Sequence, residues 1–206
     1  MNPLINNSGD TNKLFPVFLK LENLPVLIVG GGTIALEKLT AILENSPQTE
    51  IRLVAITISE VIKNLAVNLP NIQLTEKSFS IDELNGVTIV IVAINDPIES
   101  QRIRDLAKQN GKLVNVADKP DMCDFYLSSI VRKGNLKIAI STNGKSPTIA
   151  KRLKEVFLEL LPDELEGVLN NMQQIRNKLS GDFSSKVRKL NSITKTLVRK
   201  HDDLES

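Results

Sequence analysis

Short β-branched runs alternate with longer stretches of helical spacing along the first half of the chain. VLIV at 26–29 leads into a segment of helical spacing through Ile42, and IRLVAI at 51–56 leads into a shorter one around Val61 to Leu69. VTIVIVAI at 87–94 precedes a helix expected from about Pro97 to Gln109, with Pro97 suited to its first turn and Gly111 to its exit. KLVNVAD at 112–118 reads as the next strand. Continuous apolar strands joined by helices predict a parallel sheet covered on both faces, an α/β architecture of Rossmann-like type.

The rhythm changes after Asp118. FYLSSIVRKGNLKIAIS at 125–141 reads as two strands about a turn at Lys133, Gly134 and Asn135, with no helix between them. Ser146 and Pro147 then form a helix start, N-cap followed by first helical position, with Ile149, Leu153, Val156, Phe157 and Leu160 on one apolar stripe. From 163 to 200 apolar and basic residues alternate at helical spacing. The expected organisation is therefore a polar leader at 1–14, a Rossmann-like domain at 15–118, a small β segment at 119–145 and a C-terminal helical domain at 146–206.

Composition narrows the function classes. The 206 residues are 41% hydrophobic, 24% charged and only 3% aromatic, which offers no broad stacking platform for single-stranded nucleic acid. A formal net charge of +2 is far from the balance of a phosphate-backbone binder, so no nucleic-acid partner is expected, while a small acidic ligand is compatible. The one cysteine, Cys123, excludes an intramolecular disulfide and a Cys-rich metal site. The one histidine, His201, lies in the polar tail, so neither a Ser-His-Asp nor a Cys-His arrangement is expected, and no metal ligands can be assigned. The N-terminus lacks a signal-peptide pattern and no run is long and apolar enough for a membrane span. A soluble, unprocessed cytoplasmic protein is expected.

The first concentrated chemistry is VLIVGGGTIALEK at 26–38. It fits G-x-G-x-x-A as Gly30, Gly32 and Ala35, directly after a strand and opening a helix. In that setting the first glycine permits the tight turn, the second lets a pyrophosphate approach the backbone, and the alanine lets helix and strand pack closely. The helix N-terminus adds oriented N–H groups and partial positive charge. The acidic residue that normally binds the ribose hydroxyls at the end of the second strand is absent. That strand ends in Ala55, Ile56, Thr57, Ile58 and Ser59, so the residues alone do not separate NAD from NADP.

Asn95-Asp96 and Asn115-Val116-Ala117-Asp118 stand at the ends of the later strands, on the edge where ligands of doubly wound sheets sit. A carboxylate at Asp118 can take a proton as a hydride leaves for a nicotinamide, or it can simply shape a turn before Lys119-Pro120. Asp96 before Pro97 reads first as an N-cap, and Cys123 as a buried small hydrophobe. ISTNGKSPT at 140–148 is either a turn with a cap or a wall contacting an anionic substrate through Ser141, Thr142 and Lys145. It is not a phosphate-binding Walker loop, because position 139 is alanine where that motif needs glycine.

FPVFLKLENLPVLIVGGGTIALEKL, VAINDP and LVNVADKPDMCDFYLSSIVRKGNLKIAISTNGKSPTIAKRLKE together resemble the precorrin-2 dehydrogenase/sirohydrochlorin ferrochelatase family of siroheme synthesis, from about Phe15 to Pro162. The resemblance implies an NAD-binding domain, a central dimerisation segment at 119–145 and a C-terminal helical domain, assembled as a homodimer. It places the catalytic aspartate on Asp118. It puts NAD contacts on Gly30, Gly31, Gly32, Thr33, Ile34, Ile56, Thr57, Asn95 and Asp96, and it favours NAD as cofactor. Three departures stand out: Glu37-Lys38 where the family commonly has Arg-Lys, Ser100 where asparagine is frequent, and Thr142 where bifunctional relatives carry a regulatory phosphoserine.

The expected activity is NAD-dependent oxidation of precorrin-2 to sirohydrochlorin. Lys38, Asn115, Thr142 and Lys145 are candidate substrate contacts, and Arg102, Lys119, Lys151 and Arg152 are further cations for the eight carboxylates of the tetrapyrrole. Fe²⁺ insertion into sirohydrochlorin is an additional step that the resemblance leaves open. The chain is not expected to make precorrin-2 itself. Two rival readings are an NAD-sensing regulatory domain without turnover and a helical nucleic-acid binder appended to a Rossmann core.

Overall fold

The computed structural model describes residues 12–194, and they form two compact units that divide between Leu127 and Ser128. The first unit carries a five-stranded parallel sheet of β1 (Val26–Val29), β2 (Ile51–Ala55), β3 (Ile72–Glu76), β4 (Ile89–Val92) and β5 (Leu113–Val116), in the order β3-β2-β1-β4-β5. β1 and β4 are buried at every position, as continuous apolar runs in a doubly covered sheet must be. Val26 pairs with both Ile51 and Ile89, so the central strand is flanked on both sides in register.

The helices cover the two faces. On α1 (Thr33–Asn45), Ala35, Leu39 and Ile42 fall at i, i+4 and i+7 and bury one stripe against Val26, Ile28, Leu53 and Ile91. α2 (Glu60–Ala66) adds Ile62 to the same layer. On the other face α3 (Pro97–Gln109) turns Ile103 and Ala107 onto Leu27, Val29, Val90 and Val114. Each fully buried Leu or Ile contributes about 1.5–3 kcal/mol.

β3 has no counterpart in the hydrophobic pattern. IQLTE alternates apolar and polar residues, and none of its side chains is fully buried, because β3 is the outer strand next to β2. The strand expected at 87–94 is shorter at its ends, since Val87 and Thr88 lead in from a loop. The division between units also lies further along than Lys119, because residues 119–127 fold back onto β5. Asp124 makes that return: its N–H donates to the Val114 carbonyl at 2.7 Å, and its carboxylate accepts from the Val114 N–H at 2.8 Å and from Lys108 Nζ at 2.6 Å. These bonds satisfy the open edge of β5.

Burial pushes the Asp124 carboxyl up, but the Lys108 ammonium and the Val114 N–H more than offset it and hold it below the ordinary carboxylate range. A depressed carboxyl stabilises the folded chain above its unfolded pKa, and that contribution is lost as pH falls through the folded value. Asp124→Asn is therefore expected to cost about 1–2 kcal/mol near neutrality. Thermal melts of the two chains should draw together as pH falls from about 4, where the unfolded chain begins to protonate, and converge only below the depressed folded value, where the carboxyl is protonated in either state. An unchanged gap at acid pH would remove the ionised carboxylate from the account.

In the second unit β6 (Ser129–Lys133) and β7 (Leu136–Ile140) form an antiparallel hairpin closed by Gly134 and Asn135, with Lys133 opposite Leu136. Gly134 has φ +58°, and a Cβ there would strike the Glu166 carboxylate that accepts the Asn135 N–H at 2.7 Å. α4 (Pro147–Leu160) packs on β6 and is followed by α5 (Leu165–Lys178) and α6 (Phe183–Ile193). Its N-cap is Ser146, whose Oγ accepts from the Ile149 N–H at 3.2 Å. The apolar stripe on α4 is largely exposed, with Ile149 at 56%, Val156 at 47% and Leu160 at 70%, while Phe157 is half-buried and Ala150 is buried.

Candidate functional site

The glycine loop is built by two steric demands and one vacancy. Gly30 has φ +134°, and a Cβ on it would lie 2.2 Å from the Ala93 carbonyl oxygen; at Gly31 a Cβ would lie 2.1 Å from the Thr57 carbonyl oxygen. Both positions are thus fixed by close backbone approach from neighbouring strand ends. The Gly31 carbonyl also accepts the Ser59 N–H at 2.9 Å, tying the β2–α2 loop to the glycines. Gly32 is different: a Cβ there would meet nothing within 4 Å.

Gly32 is also the N-cap of α1, and no side chain caps that helix. The first-turn N–H groups of Thr33, Ile34 and Ala35 have no intrahelical acceptors, and they face an uncluttered approach at a helix N-terminus. These features fit a dinucleotide pyrophosphate: donors, partial positive charge, and room for phosphate oxygens against backbone. The Ile34 side chain packs into the core, so its contribution to a ligand is through its backbone. Thr33 is exposed.

Ile56, 77% exposed, and exposed Thr57 stand at the end of β2, on the flank where the adenosine half of a dinucleotide lies. The missing carboxylate of this strand has a neighbour that the hydrophobic pattern did not reveal. Glu76, at the end of β3 and in register with Ala55, accepts the Ile58 N–H at 2.9 Å and pairs with Lys63 at 3.2 Å. The Ile58 N–H and then the Lys63 ammonium hold its carboxyl below the ordinary range. Glu76 thereby stabilises the loop that carries Ile56 and Thr57. The signal was hidden because Glu76 lies on a strand whose composition is half polar.

Across the sheet, the order β3-β2-β1-β4-β5 reverses direction between β1 and β4, so the crevice opens there. Asn95 and Asp96 follow β4, and both are exposed. The Asp96 carboxylate accepts from the N–H groups of Ile98 (2.9 Å) and Glu99 (3.0 Å), the capping role its position before proline implied. Ser100 is buried and its hydroxyl donates to the Asp96 carbonyl at 2.6 Å.

Asp118 follows β5 on the same carboxyl edge, exposed, with φ +58°. Its turn is closed by the Lys119 N–H donating to the Val116 carbonyl at 3.2 Å, and the Ala117 N–H donates to the Val92 carbonyl at 2.9 Å. With strands about 4.8 Å apart, the roots of the glycine loop and of Asp118 lie roughly 10 Å apart across β4. A left-handed backbone at a non-glycine residue costs of order 1–3 kcal/mol and concentrates at functional sites, and aspartate is among the few residues that tolerate it.

The candidate substrate contacts separate into two groups. Asn115 is 7% exposed, and its amide donates to the Phe125 carbonyl at 2.8 Å, so it acts inside the fold. Lys38 pairs with Glu37 at 2.8 Å and is half-buried. In the second unit the Thr142 hydroxyl accepts the Ser146 N–H at 3.1 Å and lies 3.1 Å from the Ser146 carbonyl, closing a loop in which Asn143 (φ +54°), Gly144 (φ +75°) and Lys145 are exposed. Among the further cations, Arg102 pairs with Glu99 at 2.6 Å and lies over the Phe79 ring, and Arg152 pairs with Glu155 at 2.7 Å. His201 lies outside the described residues. Among the described residues no group of three or more His, Cys, Asp or Glu is placed to hold a metal ion, and no helix is long and apolar enough to cross a membrane.

Comparison with known proteins agrees with this geometry. A family of putative NAD(P)-binding proteins matches residues 17–129, and the sirohaem biosynthesis protein central family matches residues 133–156. The siroheme synthase of Vesicomyosocius okutanii is 33% identical over 171 residues, covering 82% of this chain and 36% of that protein. The siroheme synthase of Zymomonas mobilis is 37% identical over 150 residues, covering 73% of this chain and 31% of that protein. The chain spans about a third of the length of the curated relatives it matches. Among solved structures, SirC, a precorrin-2 dehydrogenase, superposes with a TM-score of 0.67 at 28% identity, covering 87% of this chain and 89% of that one. The NAD(P)-binding domain expected from the glycine loop is thus present, with NAD as the cofactor supported by both family and fold. A glycine cradle at the switch point, an aspartate turn on the same edge and the two family matches in sequence order lead to one conclusion: this chain belongs to the precorrin-2 dehydrogenase/sirohydrochlorin ferrochelatase family, of the siroheme synthase N-terminal type.

Proposed function

We propose that the chain is an NAD-dependent dehydrogenase that oxidises precorrin-2 to sirohydrochlorin. The observation that carries the reading is the pairing, on one sheet edge, of a phosphate-accepting glycine loop with an exposed aspartate held at φ +58°. NAD, when bound, accepts the hydride released from a C–H bond of the substrate. Gly30, Gly31 and Gly32 and the backbone of Thr33 and Ile34 hold the pyrophosphate, Ile56 and Thr57 flank the adenosine, and the Asn95-Asp96 turn forms the opposite wall. Asp118 receives the proton that balances the loss of hydride, at a carboxylate oxygen, and passes it to solvent. Lys38, Thr142 and Lys145 are proposed to meet the acidic side chains of the tetrapyrrole, with Asn115 shaping the wall from behind.

The reading extends to assembly and to a second reaction. The exposed stripe Ile149, Leu153, Val156 and Leu160 on α4 supports a homodimer in which residues 119–145 form the dimerisation segment and 146–206 the helical domain. Asp118 is also the group proposed to take pyrrole protons when Fe²⁺, as substrate, enters sirohydrochlorin. A cytoplasmic location follows from the need for reduced tetrapyrrole and NAD.

The test is an anaerobic reaction of the full chain with precorrin-2 and NAD, without metal. Sirohydrochlorin and NADH should form together in equal amounts, and Fe²⁺ added afterwards should convert the product to siroheme. Folded protein that binds NAD and forms neither product would overturn the dehydrogenase and favour a regulatory NAD sensor.

A further inference from the structure

Asp118 occupies a backbone conformation that most residues avoid, and among the described residues its carboxylate makes no hydrogen bond or ion pair that would hold it there. What holds the turn lies beneath it. The Cys123 sulfur is 3.2 Å from the Val116 nitrogen, 3.2 Å from the Val116 carbonyl oxygen and 3.2 Å from the Lys119 carbonyl oxygen. It accepts the Val116 N–H and has one proton to donate to either carbonyl. Val116 and Lys119 are the two ends of the turn that presents Asp118, and the Asn115 amide nitrogen approaches the same sulfur at 3.5 Å.

We infer that Cys123, braced by Asn115, is the positioning residue for Asp118: its thiol binds both ends of the 116–119 turn and fixes the direction in which the carboxylate faces the crevice. The inference rests on the catalytic reading of Asp118 given above. Its chemistry suits a thiol in three ways. Sulfur is large enough to touch three backbone atoms at once, and it both donates and accepts. Burial also pushes the Cys123 thiol up, so it keeps the proton it donates. The cysteine is half-buried and does more than fill space in the core, the role its sequence context implied.

The test compares Cys123→Ala and Cys123→Ser in the full chain, in the native and Asp118→Asn backgrounds, with kcat and NAD affinity measured separately. Alanine should lower kcat about tenfold, because small displacements of a catalytic group are costly, and leave NAD affinity unchanged. Serine, which keeps a donor and an acceptor at that point, should recover most of the rate. In the Asp118→Asn background the alanine change should cost nothing further, since its route to the chemistry is gone. Melting temperatures of both variants separate positioning from unfolding. Full turnover in Cys123→Ala, equal losses in the alanine and serine variants, or an undiminished tenfold loss in the Asp118→Asn background would each overturn the inference. If Asp118→Asn itself turns over at the native rate, it is the catalytic reading of Asp118 that falls.

Discussion

Gly32→Ala is expected to fold like the native chain and to lose dinucleotide binding. The N-cap backbone at Gly32 has φ −99°, which alanine adopts without strain, and a Cβ there meets no protein atom within 4 Å. The open space is the approach to the α1 N-terminus, so the methyl group occupies volume the pyrophosphate needs. Titration with NAD should show affinity weakened at least about tenfold, on the scale of 1.4 kcal/mol per decade, with the melting temperature within a few degrees of native. Gly31→Ala is the contrasting control. Its Cβ would collide with the Thr57 carbonyl and the Ile58 backbone, so this variant should lose about 3 kcal/mol or more of stability before any ligand is added. Native affinity in Gly32→Ala would place the dinucleotide elsewhere.

Asp118→Asn should lower kcat about a hundredfold or more while leaving NAD affinity intact. Asparagine shares aspartate's tolerance of the left-handed region, so the turn at φ +58° survives and only the basic carboxylate is removed. Rapid-mixing measurement of NADH formation under anaerobic conditions separates this from substrate binding, because a loss confined to KM would make Asp118 a binding group. Native turnover would exclude it as the proton acceptor.

The sheet was legible wherever strands are buried on both faces. VLIV and the core of VTIVIVAI are continuous apolar runs, and IRLVAI is one broken only by Arg52, because β1, β4 and β2 have neighbours on both sides and helices above and below. β3 was invisible for the complementary reason: at the sheet's edge it alternates Ile72, Gln73, Leu74, a pattern too short to stand out. With it went Glu76, whose carboxylate supports the loop beside the adenosine flank. The glycine loop was readable in residue type, but its three glycines do different work, and packing against distant strand ends distinguishes Gly30 and Gly31, pinned against Ala93 and Thr57, from the open Gly32. Asn115 and Cys123 illustrate a further limit. The Cys123 side chain serves backbone atoms of the turn after β5 and the Asn115 amide serves the Phe125 carbonyl, relations set by how residues 119–127 return to the sheet. The α4 stripe was correctly read as apolar and helical; its exposure depends on neighbours that periodicity does not name.

The close seating of Gly30 on the Ala93 carbonyl also has a temporal meaning. β1 pairs with β4, Val26 against Ile89, so the glycine loop cannot take its final shape while the ribosome has yet to release the later strand. A nascent chain ending before Ala93 would hold β1, α1 and β2 with an unsupported phosphate loop. Completion of the crevice is thus a non-local event, slow relative to helix formation, and it comes only after the second half of the sheet has been synthesised. Chains freed from the ribosome that end before β4 or after β5 should accordingly differ in whether they can retain the dinucleotide. The ligand would then arrive late in synthesis and lock a nearly finished sheet, with no part in nucleating its first turn.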